Sequence, residues 1–472
     1  MVLVSCSLIA SCSKPNAQEQ HVNNTYDVPA PVSESDVTQR NPAITEAITE
    51  VITEAITETC VPPIETSTLP PATSEFSIAL SKEQCVEDLD YMWKTLAESF
   101  PFIHTINRMI DLNMEEEFTR LKKSVENGKS DVFIDKWMDT LTEFCGKFGH
   151  IGHFSMVSAA LYQNQVDFFA TSSYIHPNRD TLVRPNVISA YQYLIERLSH
   201  KSNDGGYNFS FPDLELYCID DHIAYIKSPS FGRDTDNDYE RIITFLSSIG
   251  DSDNLIIDIT GNGGGSDWYW RLNYVMPLIN ETAGLRLPVF AKNSQLVIDY
   301  LHSQGYTDYV NKDEADLSQY ENLVEEDVED MGIFFSDLVS YIEPLQDYIN
   351  LIRENTDASL IIPKVPLLPV EIKFNGKIYL LIDSAVYSAA ESFAVFCKQT
   401  GFATIVGRNS GGDGIGISPI MVDLPSGLLF MFSTLYGVND DGSCNQEVGT
   451  TPDIISKSGE SPLDTCLRIM SP

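Results

Sequence analysis

Between residues 80 and 147 apolar side chains recur at spacings of three and four, with Val86, Leu89, Met92, Trp93 and Leu96 as the clearest run. That period belongs to one face of an α-helix. Pro101 ends this helix, because proline lacks the N–H the ladder needs, and Phe118, Leu121, Phe133, Trp137 and Leu141 mark two more. The expectation is a small helical domain over residues 77–150. From about Phe154 the pattern changes to alternating or continuous apolar runs, at Leu214 to Ile226, Leu255 to Ile259, Ile378 to Ile382, Thr404 to Val406 and Leu428 to Phe432. Helical patterns lie between them, at 238–246 and 389–398. Strands alternating with helices predict an α/β core with a partly parallel sheet over 151–472. An acidic, helix-like stretch from about 291 to 371, including Glu325-Glu326-Asp327-Val328-Glu329-Asp330, interrupts that core. It reads either as an insertion covering a site or as a solvated helical face.

Ahead of the helices, residues 13–76 are Thr, Pro, Glu, Ser and Asn with few aromatics. Such a composition buries too little surface to offset chain entropy, so a disordered tether is expected. Within it Ala43-Ile44-Thr45-Glu46 recurs with a four-residue period through Glu58, which predicts marginal helix or disorder because Thr is a mediocre helix former. The short apolar start, residues 1–12, ends in Ile9-Ala10-Ser11-Cys12 and resembles a bacterial lipobox, with Leu3-Val4-Ser5-Cys6 a weaker match. A lipidated Cys12 followed by a tether implies an extracytoplasmic, membrane-anchored bacterial protein. The missing basic n-region favours the opposite reading, a buried cysteine near a terminus. No run approaches the roughly 20 apolar residues of a membrane-spanning helix.

Composition narrows the functions further. The 472 residues are 43% apolar and carry 30 Lys+Arg against 68 Asp+Glu, a formal net charge of -38. Only ten acids and two bases fall in residues 14–76, so the folded body is itself acidic. Phosphate backbones would be repelled by it, which argues against nucleic acid as a partner. The nine cysteines show no CxxC or Cys/His metal spacing, and neither a metal nor an organic cofactor is expected. They neither demand nor exclude a disulfide; Cys444 and Cys466 sit in late loops where one could form.

Three segments carry candidate chemistry. Leu255-Ile256-Ile257-Asp258-Ile259 reads as a buried strand running into Thr260-Gly261-Asn262-Gly263-Gly264-Gly265. No Lys-Ser/Thr follows and the spacing is not GxGxxG, so a phosphate cradle is disfavoured. The other use of such a turn is to aim backbone N–H groups at a developing oxyanion, a role Gly263 and Gly264 fit. Downstream, the strand at 377–382 leads through Asp383-Ser384-Ala385-Val386-Tyr387 to Ser388-Ala389-Ala390-Glu391 and a helix. A serine at a strand-to-helix turn suits a nucleophile, although Ser-x-x-Glu is equally a capping box.

In order along the chain, the D-x-x-G-N-G-G-G turn, the later Y-S-A-A-E and the closing Glu447-Val448-Gly449-Thr450-Thr451-Pro452-Asp453 resemble the tricorn/C-terminal-processing peptidase family (S41). The resemblance spans about residues 80–465. It implies a crotonase-like (ClpP/crotonase type) β/α catalytic core preceded by a small helical domain, and acyl transfer from a peptide or protein substrate to Ser388. The N–H of Ala389 and that of Gly264 align with the oxyanion donors. C-terminal-processing members use a lysine about 25 residues after the serine; here Asp413 stands there, within Gly411-Gly412-Asp413-Gly414. Tricorn-like members use a histidine from a G-H motif oriented by a late glutamate, and this chain offers Phe148-Gly149-His150-Ile151-Gly152-His153-Phe154. His153 is preferred to His150 because it leads into the strand-like 154–157. The pair could instead be structural, and no carboxylate or cysteine completes a metal set.

Two departures stand out. Thr260 occupies the position of the family's D-x-R-G-N arginine, and the late glutamate falls on Gln446, with Glu447 beside it. A glutamine cannot stabilise an imidazolium by charge, so either Glu447 supplies the carboxylate or the enzyme is weakened; loss of that charge in a serine triad costs roughly 10⁴ in rate. Two rivals to a serine peptidase follow: a peptide-binding protein on a degenerate scaffold, and a crotonase-like acyl-CoA enzyme. No stretch between 155 and 215 reads as a PDZ domain.

Overall fold

In the computed structural model, residues 79–128, 131–171, 176–201, 213–232, 235–354 and 372–470 are described. Cys12, Cys6, the four-residue repeat and the tether lie outside them. Helices occupy Lys82–Ser99, Ile103–Ile110, Met114–Glu126 and Ile134–Gly146, the first closed by a capping box at Ser81 and stopping two residues before Pro101. Helix does not end at 150 as the apolar pattern predicts: Ala159–Thr171, Pro177–Leu182 and Pro185–Lys201 follow. Tyr162, Val166, Val187, Ala190, Tyr191 and Leu194 are buried there at helical spacing, a period that the eye loses among the short apolar runs.

The main sheet has six strands, in the order Ile454–Ile455, Thr404–Gly407, Lys377–Ile382, Asn254–Asp258, Ile223–Lys227 and Glu215–Cys218. All neighbouring pairs are parallel except the last, an antiparallel hairpin that divides the single 214–226 run in two. The central strands are apolar on both faces, as parallel strands covered on each side must be, with Leu255, Ile256, Ile257, Leu380, Leu381 and Ile382 all fully buried. Leu381 pairs with Asp258, so these two strands finish side by side. The predicted α/β class and the helical region before it are therefore both present.

Residues 291–354 are less helical than predicted. They contain helices at Gln295–Ser303 and Leu345–Glu354 and a single turn at Glu325–Val328, but also the ten-residue strand Ile333–Ile342, which pairs antiparallel with Ala283–Ala291. The acidic run at 325–330 lies in the turn, and the apolar strand behind it gives this stretch its place in a four-stranded sheet.

The helical region and the C-terminal half share one core. Ser155–Met156 adds to the hairpin Ile420–Asp423/Leu429–Phe432 as a third strand, and Val157 N–H donates to Leu429 O. Phe100, fully buried, packs its ring against Phe102, Phe154 and Phe432 at centroid distances of 5.7, 5.8 and 5.7 Å. Asp88, also fully buried, accepts from Trp137 Nε1 at 2.8 Å and from Ser426 N–H at 2.9 Å. Cys444 and Cys466 are both reduced and buried in different core clusters, so no disulfide joins them. Phe100→Ala is expected to cost about 3–5 kcal/mol, the usual range for emptying a buried phenylalanine site, measured as a fall in the urea midpoint at unchanged slope. A cost under about 1 kcal/mol would show that the helical region does not depend on this contact.

Candidate active site

Because the strands Asn254–Asp258 and Lys377–Ile382 are parallel neighbours, the turns that leave their carboxyl ends must meet. Such ends are where open α/β sheets bind ligands. The glycine turn and the Ser388 turn do meet: a Cβ placed on Gly264 would fall 2.8 Å from Ser388 Cβ, 2.8 Å from Tyr387 O and 3.1 Å from Ala389 N. Tyr387 N–H donates to Asn262 O at 3.1 Å, and Asp383 Oδ1 accepts from both Gly261 and Ala385 N–H groups at 3.0 Å. A polar cleft of about 630 Å³ between Asp251, Asp253, Asn375 and Lys377 lies at the opposite, amino ends of these strands and contains none of these groups.

Ser388 stands at the N-cap of the helix Ala389–Thr400 with φ 57° and ψ −126°, and its side chain makes no capping bond. The capping-box alternative is thereby excluded. Glu391, its would-be partner, is fully buried and turned to Asn445 Nδ2 (2.8 Å) and Thr450 Oγ1 (2.7 Å). Ala389 N–H, in the helix's first turn, has no acceptor among the described residues. Gly264 N–H, in contrast, already donates to Asn262 Oδ1 at 2.9 Å, whereas the N–H groups of Gly263 and Gly265 make no hydrogen bond among the described residues.

The histidines sit on a turn of left-handed residues: Gly149, His150, Gly152 and His153 all have φ between 55° and 65°. Gly152 is required there, since a Cβ would strike the Phe102 ring at 2.5 Å and the Phe100 ring at 2.7 Å. The turn is fastened to the hairpin strand by Ser433 N–H donating to Gly152 O at 2.7 Å. His153 is 6% exposed, and its ring lies 4.9 Å from that of Tyr387, the residue before Ser388. Its Nδ1 is 2.5 Å from Asp413 Oδ2 and 2.9 Å from Ser433 Oγ, while Nε2 is buried without a partner. Ser433 Oγ also donates to Asp413 Oδ2 at 3.1 Å. The half-buried His150 offers its carbonyl to Tyr387 OH at 3.0 Å, and burial, followed by the nearby His153, pushes its imidazole below the ordinary histidine pKa.

The carboxylate facing the imidazole is thus Asp413, neither of the two late residues expected from the sequence. Gln446 Oε1 accepts from Gly152 N–H and from Tyr387 OH, each at 2.9 Å, and supports both turns without touching His153. Glu447 points elsewhere: Arg108 holds it at 2.7 Å and also grips Asp327 at 2.9 and 2.7 Å. Asp413 is carried by a glycine loop that leans on the Ser388 turn, with Ser388 N–H donating to Gly412 O at 3.2 Å and Gly411 N–H to Val386 O at 2.6 Å. A Cβ at Gly412 would meet Asn445 O at 2.2 Å, so no other residue lets this loop pass. Asp413 and Ser433 were missed in the sequence; the one signal was a lone carboxylate set between Gly411-Gly412 and Gly414. No group of three or more His, Cys, Asp or Glu side chains among the described residues is arranged to hold a metal ion.

Residues 222–456 match the family model described as Peptidase family S41, and the chain belongs to that family. No curated protein matches it. Among solved structures it is similar to mature CPAF, at 14% identity over 79% of this chain and 93% of that one with a TM-score of 0.43. It is similar also to the photosystem II D1 C-terminal processing protease, at 11% identity over 80% and 93% with a TM-score of 0.38. A lipoprotein from Streptococcus agalactiae gives 14% identity over 83% and 96% with a TM-score of 0.38. The family is one of peptidases, which leaves the acyl-CoA alternative without support.

Burial pushes the Glu391 carboxyl up to about 7 against its hydrogen bonds. Since the folded chain then holds a proton that an unfolded glutamate releases near pH 4.5, stability from this group is complete below that pH and is lost as pH rises through about 7. Glu391→Gln is therefore expected to flatten the fall in stability between those values, by on the order of 3 kcal/mol at pH 8. Urea denaturation of both proteins at pH 5 and pH 8 measures it; equal pH slopes would show Glu391 to be ionised throughout.

Proposed function

We propose that this chain is a serine peptidase in which Ser388, His153 and Asp413 act together on a peptide carbonyl. Ser388 Oγ attacks the carbonyl carbon as His153 Nε2 takes its proton, and the carbonyl oxygen becomes the oxyanion. Ala389 N–H receives that oxyanion with an N–H of the glycine turn, either Gly263 or Gly264, the latter by releasing Asn262 Oδ1. The imidazolium then protonates the leaving amine, which gives an acyl-enzyme on Ser388. Water, deprotonated by His153, completes hydrolysis. Asp413 fixes the Nδ1–H tautomer and stabilises the imidazolium, with Ser433 donating to the same oxygen.

The observation that carries this reading is the His153 ring: its Nδ1 is held by a buried carboxylate, its Nε2 is buried without a partner, and the ring lies 4.9 Å from that of Tyr387, the residue before Ser388. A metal ligand would need further donors, and a purely structural buried histidine would be expected to satisfy both nitrogens. The glutamine at 446 does not leave the site uncharged, because the negative charge reaches the imidazole from Asp413.

A fluorophosphonate probe tests the reading. Labelling of the wild type that disappears in Ser388→Ala and falls strongly in His153→Ala is expected. A folded wild type that takes no label sinks it and favours a peptide-binding protein. Asp413→Asn should lower kcat by roughly 10³ to 10⁴, whereas Glu447→Gln should leave it within about threefold, as expected of a rim ion pair. If Glu447→Gln proves the damaging change, the carboxylate has been misassigned. The extracytoplasmic setting inferred from Ile9-Ala10-Ser11-Cys12 belongs to the same proposal; radiolabelled palmitate incorporation that persists in Cys12→Ala would refute it.

A further inference from the structure

Thr260 stands where related turns carry an arginine, yet the glycine turn is not left without a cation. Lys227, at the end of the strand Ile223–Lys227, pairs in register with Asp258 at the end of the next strand. Its ammonium lies 2.8 Å from Asp258 Oδ1, 2.8 Å from Thr260 O and 2.5 Å from Thr260 Oγ1. Three N–H bonds thus meet three acceptors, which saturates the donor capacity of the group. Asp258 Oδ1 also accepts from Thr260 N–H at 2.8 Å and Thr260 Oγ1 at 2.7 Å, while Oδ2 takes Tyr225 OH at 2.7 Å. The Thr260 hydroxyl therefore gives its proton to the carboxylate and receives one from the lysine. Lys227 and Asp258 are 21% and 8% exposed, so the pair is shielded from water on most sides.

We infer that Lys227 is a positioning residue for the oxyanion turn, clamping Thr260 so that the N–H groups of Gly261 to Gly265 are fixed against Ser388. This rests on the serine peptidase reading above. The clamp acts one residue before Gly261, whose own N–H is tied to Asp383 on the Ser388 side, so Thr260–Gly261 is anchored to both strands at once. Downstream, Asn262 Nδ2 donates to Ser228 O at 2.9 Å, and Phe231 N–H donates to Gly264 O at 2.9 Å. The same chain segment that carries Lys227 therefore lines the turn along its length. Glycines supply no side chains to hold their own conformation, so an external brace is what keeps donors preorganised.

The test measures kcat and KM on a peptide substrate for the full chain and for Lys227→Met, Lys227→Arg and Tyr225→Phe. A misaligned oxyanion turn should lower kcat roughly 10- to 100-fold, less than outright removal of a donor, with KM within about threefold. Lys227→Arg should recover most of the loss, since its guanidinium also donates to carboxylate and carbonyl oxygens. Tyr225→Phe, which touches Asp258 but not the turn, should leave kcat near wild type. Should Lys227→Met not fold, Thr260→Val is read in its place: it removes the hydroxyl bridge and keeps the ion pair. Unchanged kcat with only a lower urea midpoint, in an enzyme whose wild type labels on Ser388, overturns this inference and leaves the peptidase reading standing. An unlabelled wild type fails the earlier reading instead.

Discussion

The site depends on backbone held where side-chain-bearing residues rarely go. Among the described residues five non-glycines have positive φ, and four of them are His150, His153, Ser388 and Asp413. Each costs on the order of 1–3 kcal/mol and persists only where its surroundings over-determine it. Here the surroundings are one another: Ser388 N–H is tied to the Asp413 loop, Tyr387 OH reaches His150 O, Asp413 and Gln446, and Gln446 holds the Gly152 N–H. A hydroxyl, an imidazole and a carboxylate from segments far apart in sequence are brought together by turns that would each relax alone.

Two residues that look like losses along the chain are offset in space. Where the family resemblance implies an arginine at 260, the cation beside Thr260 is Lys227 from the adjacent strand, and where it implies a carboxylate at 446, the carboxylate facing the imidazole is Asp413 from the neighbouring loop. The second substitution is constrained by proximity. Tyr387 OH lies 3.0 Å from Asp413 Oδ2 and 2.9 Å from Gln446 Oε1, so carboxylates at both positions would face each other across a single hydroxyl. Like charges that close cannot both stay ionised cheaply. A neutral residue at 446 is the partner that a carboxylate at 413 requires.

The sequence made the central strands of the main sheet, the glycine turn and the Ser388 turn legible, because each is a local signal: a continuous apolar run, a cluster of glycines, a serine at a strand-to-helix switch; the two-residue edge strand Ile454–Ile455 is too short to give one. The family order of motifs added His153. Asp413, Ser433 and Lys227 were illegible for one shared reason, that their roles are set by pairing between segments. Asp413 lies 260 residues from the histidine it contacts, and Ser433 lies 280 away. The one local mark on Asp413, its place between Gly411-Gly412 and Gly414, does not say which side chain it contacts. The helices after 158 were missed for a different reason, their apolar positions being short enough to pass for strand alternation.

The helical region also explains why the late acidic residue beside Gln446 could not serve the imidazole. Arg108, on the helix Ile103–Ile110, binds Glu447 and Asp327 together, and Asp327 in turn accepts from Tyr436 OH at 2.7 Å. That one guanidinium joins the helices, the 325–328 turn and the loop that carries Gln446. Hydrogen bonding to both carboxylates raises the Arg108 pKa despite its partial burial, which fixes it as a permanent cation at this junction. Turning Glu447 toward His153 would leave fully buried Asp327 to neutralise the guanidinium alone and would remove the bond that ties the late loop to the helix Ile103–Ile110. Buried charges are costly unless paired, so Glu447 stays with Arg108, and the carboxylate that faces the His153 imidazole is Asp413 on the glycine loop.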